Sequence, residues 1–162
     1  MRIDLPMKQV LGLNGASHIG IVVKDMEKAI NNYSDVFGIV FPKVFVPDLS
    51  NKMYRGKPSN YRVKVAIGMM GELQVELVET LEGETIYREF LEKKGEGLHH
   101  LGFDVKNIEE RIKDLEELGI SVLQYGERAG VRFAYLDTEK IVGVMFEFIQ
   151  REKVTEEKEV QR

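Results

Sequence analysis

The sequence predicts an α+β protein built from two tandem βαβββ modules, and three observations carry that reading. First, the chain repeats itself. His18-Ile19-Gly20-Ile21-Val22-Val23-Lys24-Asp25-Met26-Glu27-Lys28-Ala29-Ile30 aligns with His100-Leu101-Gly102-Phe103-Asp104-Val105-Lys106-Asn107-Ile108-Glu109-Glu110-Arg111-Ile112, and His, Gly, Val, Lys, Glu and Ile recur in place. Second, each copy opens with period-two hydrophobicity, passes into a helical period and stops at a glycine, Gly38 or Gly119. Third, each copy continues into segments rich in Val, Ile, Phe and Tyr, the composition of strands.

Residues 1–15 carry Asp4 and Pro6, lack the apolar core of a signal peptide, and read as an N-terminal extension. In the opening strand Ile19, Ile21 and Val23 alternate onto one face, which leaves His18 and Gly20 on the other. Met26, Ala29, Ile30, Tyr33 and Phe37 then follow helical spacing, with Asp25 placed to cap the start and Gly38 to end it. Strands are expected at 61–69 and 74–78, joined across Met70-Gly71. Ile86, Tyr87, Phe90 and Leu91 give a connecting helix near 84–94, and Gly95 and Gly97 break it. In the second copy Leu101, Phe103 and Val105 repeat the strand, and Ile108, Ile112 and Leu115 repeat the helix. Asn107 and Glu110 have the spacing of a capping box. Strands at 121–125, 132–136 and 142–149 complete the module. Modules 16–80 and 98–150 thus form one domain over 16–150, and the charged stretch 151–162 reads as a solvated tail without chemistry.

A length of 162 residues fits that one domain, and 43% hydrophobic with 31% charged residues is the composition of a soluble globular protein. Zero cysteines exclude disulfides, thiolate nucleophiles and cysteine-held metals, leaving histidine and carboxylates as the strong metal ligands. A net charge of −4 supplies no overall basic field for nucleic acid, and no apolar run is long enough to span a membrane. A cytoplasmic protein acting on a small molecule is expected.

All three histidines, His18, His99 and His100, stand at the openings of the two equivalent strands, and His18 and His100 are equivalent positions. The closing strands also match: Glu76-Leu77-Val78-Glu79 resembles Glu147-Phe148-Ile149-Gln150, each with a carboxylate inside an apolar strand. An unpaired buried carboxylate is costly, and a shared cation satisfies both. If a pseudo-twofold axis relates the halves, His18, Glu76, His100 and Glu147 converge as two imidazoles and two carboxylates. That donor set suits Zn, Co, Ni, Mn or Fe(II), with positions left for water or substrate. Gly20 and Gly102, on the histidine faces, are expected to leave room for a ligand over the metal. His99 points to the other face by alternation and is assigned a structural role against the connecting helix. The segment 51–66 carries Lys52, Arg55, Lys57, Arg62 and Lys64 with no acidic residue; Arg55, Lys57, Arg62 and Lys64 are candidates to hold substrate phosphate or carboxylate.

These residues resemble the vicinal oxygen chelate (glyoxalase, bleomycin resistance, dioxygenase) superfamily over roughly residues 16–150. Within it, Glu76-Leu77-Val78-Glu79-Thr80-Leu81 and Phe90-Leu91-Glu92-Lys93-Lys94-Gly95-Glu96-Gly97-Leu98-His99-His100 are most similar to the methylmalonyl-CoA epimerase branch. The resemblance implies a cupped mixed sheet around a divalent metal, the metal ligands His18, Glu76, His100 and Glu147, and a homodimer. It implies chemistry in which the metal stabilises charge on a carbonyl oxygen while a proton leaves the adjacent carbon, with Glu147 or Glu76 as general base. The chain departs from those epimerases at Tyr61-Arg62, where a glutamine-glycine pair is usual, and at Lys64, the position of a non-ligating base in some members. It also lacks their glycine-rich loop and His-Pro-Lys turn, reading Gly126-Glu127-Arg128-Ala129-Gly130 and Leu136-Asp137-Thr138-Glu139-Lys140. Three functions follow: an epimerase or isomerase of an acyl-CoA such as methylmalonyl-CoA, a glyoxalase I-type lactoylglutathione lyase, or a non-catalytic small-molecule binder.

Overall fold

The structure, a computed structural model, describes residues 13–152. Of the N-terminal extension expected over 1–15 and the charged tail expected over 151–162, residues 1–12 and 153–162 lie outside the described residues. The elements run β1 (His18–Val22), α1 (Met26–Phe37), β2 (Lys43–Phe45), β3 (Ser50–Tyr54), β4 (Lys57–Pro58), β5 (Arg62–Met70), β6 (Leu73–Glu82) and α2 (Ile86–Lys94). They continue with β7 (Gly97–Asp104), α3 (Ile108–Glu117), β8 (Val122–Arg128), β9 (Val131–Leu136), α4 (Glu139–Val142) and β10 (Met145–Arg151).

Ten strands form one mixed sheet in the order β2-β5-β6-β1-β7-β10-β9-β8-β3-β4. The first module supplies β2-β5-β6-β1 and the second β7-β10-β9-β8, so the two are mirrored in strand order about the antiparallel β1·β7 seam. On each side of that seam lies a parallel pair, β1·β6 and β7·β10. The repeated βαβββ unit is therefore real in three dimensions. Beyond it the first module carries a hairpin, β3–β4, which pairs with β8 at the far side of the second module.

That hairpin dictates the shape of the sheet. Eight strand spacings separate β2 from β3 in the sheet order, about 38 Å if the sheet were flat. Yet Phe45 and Ser50 are joined by only the residues between them, a reach of roughly 17 Å. The sheet must curl until its edges approach, and it forms a cup. Two contacts cross the closure: Tyr61 Oη donates to the Tyr125 carbonyl at 2.9 Å, and the Arg128 guanidinium lies 5.2 Å from the Phe45 ring centre.

Alternation along the strands separates two kinds of core. On the convex side α1 covers Val23, Met26, Phe41, Ala66, Val75 and Leu77 in the first module, and α3 covers Phe103, Ile108, Leu115, Ala134 and Phe148 in the second. Inside the cup Val22, Tyr61, Val63, Val65, Val78 and Tyr135 pack with Ile86 and Tyr87 of α2. Among the described residues no helix is long and apolar enough to cross a membrane.

Local chemistry explains where these elements begin and end, and corrects two expectations. Asp25 caps α1 by accepting from Lys28 N, and Gly38 ends it at φ +66°. Asn107 does not form the expected capping box, because its backbone is left-handed at φ +53°; Gln150 of β10 accepts instead from Ile108 N at 2.8 Å. The strand expected at 142–149 starts only at Met145. Val142 closes α4, and the Thr138 hydroxyl donates to Val144 O and accepts from Phe146 N, turning the chain between helix and strand. The short β2 and the hairpin β3–β4 lie in a region to which periodicity assigned no strands.

Thr85 holds the start of α2. It is fully buried, accepts from Arg88 N at 3.0 Å and shares a hydrogen bond with Thr80 Oγ1 at 2.7 Å. Thr85→Ala is expected to lower stability by about 1–2 kcal/mol in denaturant unfolding. Thr85→Ser, which keeps the acceptor, should recover most of that loss.

Candidate metal centre

Strand register alone assembles a four-donor cluster. Across the β1·β7 seam His18 stands opposite Gly102, and His100 stands opposite Gly20. In the parallel neighbours Glu76 of β6 pairs with Gly20, and Glu147 of β10 pairs with Gly102. Directly paired residues share a face, so all four donors point into the floor of the cup.

Their ligand atoms all lie within 4.8 Å of one another. His18 Nε2 is 3.3 Å from His100 Nε2, 2.9 Å from Glu147 Oε2 and 3.4 Å from Glu76 Oε2, and His100 Nε2 is 3.4 Å from Glu147 Oε2. Both histidines are completely buried and Glu147 is 4% exposed. Glu147 Oε2 has no hydrogen-bond partner among the described residues. Metal–ligand bonds of about 2.0–2.2 Å set neighbouring donor atoms roughly 3–3.5 Å apart. The observed spacings and the orphaned carboxylate oxygen both fit a divalent cation at this point.

The seam glycines have a different role from the one expected. A Cβ on Gly20 would sit 1.8 Å from His100 Cε1, and one on Gly102 would sit 1.9 Å from His18 Cε1. The space they vacate is filled by the imidazole of the opposite module, not by a ligand. Each module thus supplies one histidine and the gap for the other's.

His99 also departs from simple alternation. The β1·β7 register shifts between Gly20 and Ile21, so His99 is an extra residue in a bulge and its ring turns to the same side as His100. It packs on Tyr87 and Phe90 of α2, with ring centres 5.2 and 5.1 Å away, which agrees with the structural role assigned to it. Its Nδ1 lies 2.9 Å from His100 Nδ1. For His100 to present the lone pair of Nε2, its Nδ1–H must donate, and His99 Nδ1 is the acceptor. Ser17 Oγ stands in the matching place 3.2 Å from His18 Nδ1, and donates onward to Gly102 O.

Burial pulls the His18 pKa down, but the close approach and negative charge of Glu147, with the charge of Glu76, outweigh that and raise it above the usual 6.5. Burial, reinforced by the charge of Glu147, pushes Glu76 up to about 7 against the pull of His18, Arg128 and Arg151. Burial, with His99 and His18 alongside, holds His100 well below its usual value, so it is neutral.

Above this floor the cup opens as a cavity. Val63, Val65 and Ile67 of β5 form one wall, Val131, Phe133 and Tyr135 of β9 another, and Phe45, Pro47 and Leu49 the rim. Four cations predicted for substrate are not among its lining residues. Arg55 holds Glu89 of α2 through two hydrogen bonds of 2.6 and 2.7 Å, Arg62 pairs with Glu82, and Lys57 is exposed on the edge strand β4. Lys64 faces the convex side near Met26 and Ile30, opposite to Val63 and Val65, and so cannot act as a base at the floor. The cations that line the cup are Arg128 and Arg151, to which the sequence reading gave no role. The signal was available in strand parity: Arg151 lies two and four residues beyond Ile149 and Glu147, on their face.

Metal binding needs both His18 and Glu76 deprotonated, whereas His100 is already neutral. Affinity for Co²⁺ or Zn²⁺ is therefore expected to rise steeply from about pH 6 to 8, with one to two protons released per ion. Titration calorimetry in buffers of different ionisation enthalpy reads this, and a pH-independent affinity would remove these donors. His99→Phe, which deletes the acceptor for His100 Nδ1–H, should weaken metal binding by about 10–100-fold, and His99→Asn should lose less.

Comparison with known proteins agrees with this architecture. The family model of the Glyoxalase/Bleomycin resistance protein/Dioxygenase superfamily matches residues 17–135. The chain is 27% identical over 141 residues to the uncharacterized protein YqjC of Bacillus subtilis (strain 168), covering 85% of this chain and 93% of that one. It is 28% identical over 154 residues to the mitochondrial methylmalonyl-CoA epimerase of Homo sapiens, covering 90% and 81%. The structure of a single-residue variant of Streptomyces coelicolor methylmalonyl-CoA epimerase in complex with 2-nitronate-propionyl-CoA superimposes with a TM-score of 0.66 at 23% identity, covering 87% of this chain and 96% of that one. With two βαβββ modules meeting at a His-and-Glu floor and a family match across both of them, this chain belongs to the glyoxalase/bleomycin resistance/dioxygenase superfamily and has the vicinal oxygen chelate fold.

Proposed function

We propose that the protein is a metal-dependent enzyme of epimerase or isomerase type that removes a proton from a carbon next to a carbonyl, with an acyl-CoA such as methylmalonyl-CoA as the first substrate to test. The observation that carries this reading is the convergence of His18, Glu76, His100 and Glu147 at the floor of an open apolar cup. A bound Co, Zn, Ni, Mn or Fe(II) ion would supply an electrophile for the carbonyl oxygen, where negative charge builds as the proton leaves.

The chain's own residues divide the remaining work. Glu147 lies within 3.4 Å of both imidazoles and is nearly enclosed, so it is the anchoring carboxylate. Glu76 meets only His18 at that range and its side chain is 16% exposed towards the cavity, so it is the carboxylate better placed to reach a substrate. We assign it the base. The residues of β5 that line the cup are Val63, Val65 and Ile67, so that strand offers no competing carboxylate. Burial and the charge of Glu147 raise the pKa values of Tyr87 and Tyr135, keeping both phenols neutral beside the floor. The apolar walls exclude water and strengthen every charge interaction inside.

The same donor set serves a glyoxalase I-type lactoylglutathione lyase, since a hemithioacetal also loses a proton next to an oxygen-bearing carbon. A non-catalytic binder is disfavoured, because burying four titratable side chains together costs stability that a plain pocket has no need to spend. The reading extends to a cytoplasmic homodimer; exposed Val36, Phe37 and Val40 at the end of α1 offer apolar surface for it, and light scattering on the purified protein checks it.

The test is exchange of the substrate α-proton in D2O with metal-loaded protein, on methylmalonyl-CoA and on the methylglyoxal–glutathione hemithioacetal. Exchange on the first alone supports the epimerase and on the second alone the lyase. Glu76→Gln should lower the active exchange by about 10²–10⁴-fold while one metal per chain is retained. Glu147→Gln should lose metal and exchange together. Full exchange in Glu76→Gln would move the base elsewhere, and no exchange on either substrate would overturn the enzyme assignment for both.

A further inference from the structure

The rim of the cup carries charge that proton abstraction at the floor leaves unused. On β9, Val131 pairs with Arg128 of β8 on one side and with Arg151 of β10 on the other, and all three line the cavity. Register therefore sets the two arginines on strands about 10 Å apart across β9, with one guanidinium leaning towards Asp104 of β7 and the other towards Phe45 of β2. Arg128 rests on the Phe45 ring and has no ion pair among the described residues. Arg151 donates a hydrogen bond to Asp104 and forms an ion pair with it at the surface, and its side chain remains 45% exposed, so an entering anion competes with Asp104 for one edge of the guanidinium.

The pair sits at a definite distance from the floor. Arg151 lies four residue steps beyond Glu147 along β10, about 13 Å, and flexible arginine side chains shorten the gap. Between them the same face presents Ile149 and Phe133, with Val63 and Val65 across the cup. The cavity thus has a polar floor, an apolar middle and a cationic rim.

We infer that Arg128 and Arg151 form an anion-binding pair, so that the substrate carries a carboxylate or phosphate about 10 Å from the atom that meets the floor, with an apolar stretch between. The guanidinium fork matches both anions and binds them through paired, charge-assisted hydrogen bonds. The carboxylate of a malonyl group is too close to its own thioester carbonyl to span the interval, so the pair reads a remote group. This inference rests on the reading of the floor as the reacting end.

Its test uses Co²⁺-loaded protein and three probes with one chelating head and one eight-carbon chain: octanohydroxamate, its ω-carboxylate analogue and its ω-phosphonate analogue. The head reports on the floor, and the tail reports on the rim. Calorimetry should show the ω-acids binding roughly tenfold or more tightly than octanohydroxamate. In the Arg128→Ala/Arg151→Ala double variant that gain should vanish while octanohydroxamate affinity stays within about twofold. A larger gain for the phosphonate would assign a phosphate, and a larger gain for the carboxylate a carboxylic acid. No gain in the wild type, or a gain that survives the double variant, overturns the anion pair and leaves the floor reading intact. Failure of octanohydroxamate itself to bind would overturn both.

Discussion

The antiparallel seam between β1 and β7 is the constraint on which everything else rests. In its register each histidine of one module faces a glycine of the other, and no larger residue fits, because a Cβ on Gly20 or Gly102 would lie inside an imidazole ring. A one-residue slip would turn His18 and His100 towards the convex helices and leave two carboxylates without partners. The seam therefore couples the docking of the two modules to the assembly of the donor cluster. Neither module builds half a site alone, since each supplies a histidine and the gap that receives its counterpart's.

From the seam outward the sheet has no freedom to stay flat. The β3–β4 hairpin leaves the chain at one edge and pairs near the other, and Arg55 ties it to Glu89 of α2. The basic character of that hairpin is explained by this closure. Arg55 holds α2, Lys52 Nζ donates to Tyr61 O at 3.0 Å, and Arg62 pairs with Glu82 on the neighbouring strand. A charge run that reads as a ligand surface in one dimension thus supplies several of the fastenings of the cup.

The seam residues were legible in the sequence because they obey local periodicity. His18, Gly20, His100 and Gly102 follow strand alternation, and the duplication pairs Glu76 with Glu147 without any three-dimensional information. What escaped reading depends on long-range register. The bulge that turns His99 beside His100 is a mismatch between two strands, and no single-strand pattern encodes it. The capping box at Asn107 fails because a side chain from a distant strand, Gln150, takes the helix N–H first. Arg151 looks like the first residue of a charged tail until its pairing with Val131 shows it to be the last rung of β10.

Charge along the cup axis follows from the same register. At the floor, Glu76 and Glu147 balance the two charges of a divalent ion, and without one the raised pKa values of His18 and Glu76 let protons take its place. Nearer solvent the rim carries Arg128 and Arg151, the second paired with Asp104, against an overall charge of −4. An anionic molecule entering tail first would carry its charge into the carboxylates, whereas entry with an uncharged carbonyl leading keeps its charge among the arginines. The strand pairing that holds the four donors together thus also sets an electrostatic direction of entry, and the apolar middle of the cup favours the ligand whose shape follows it.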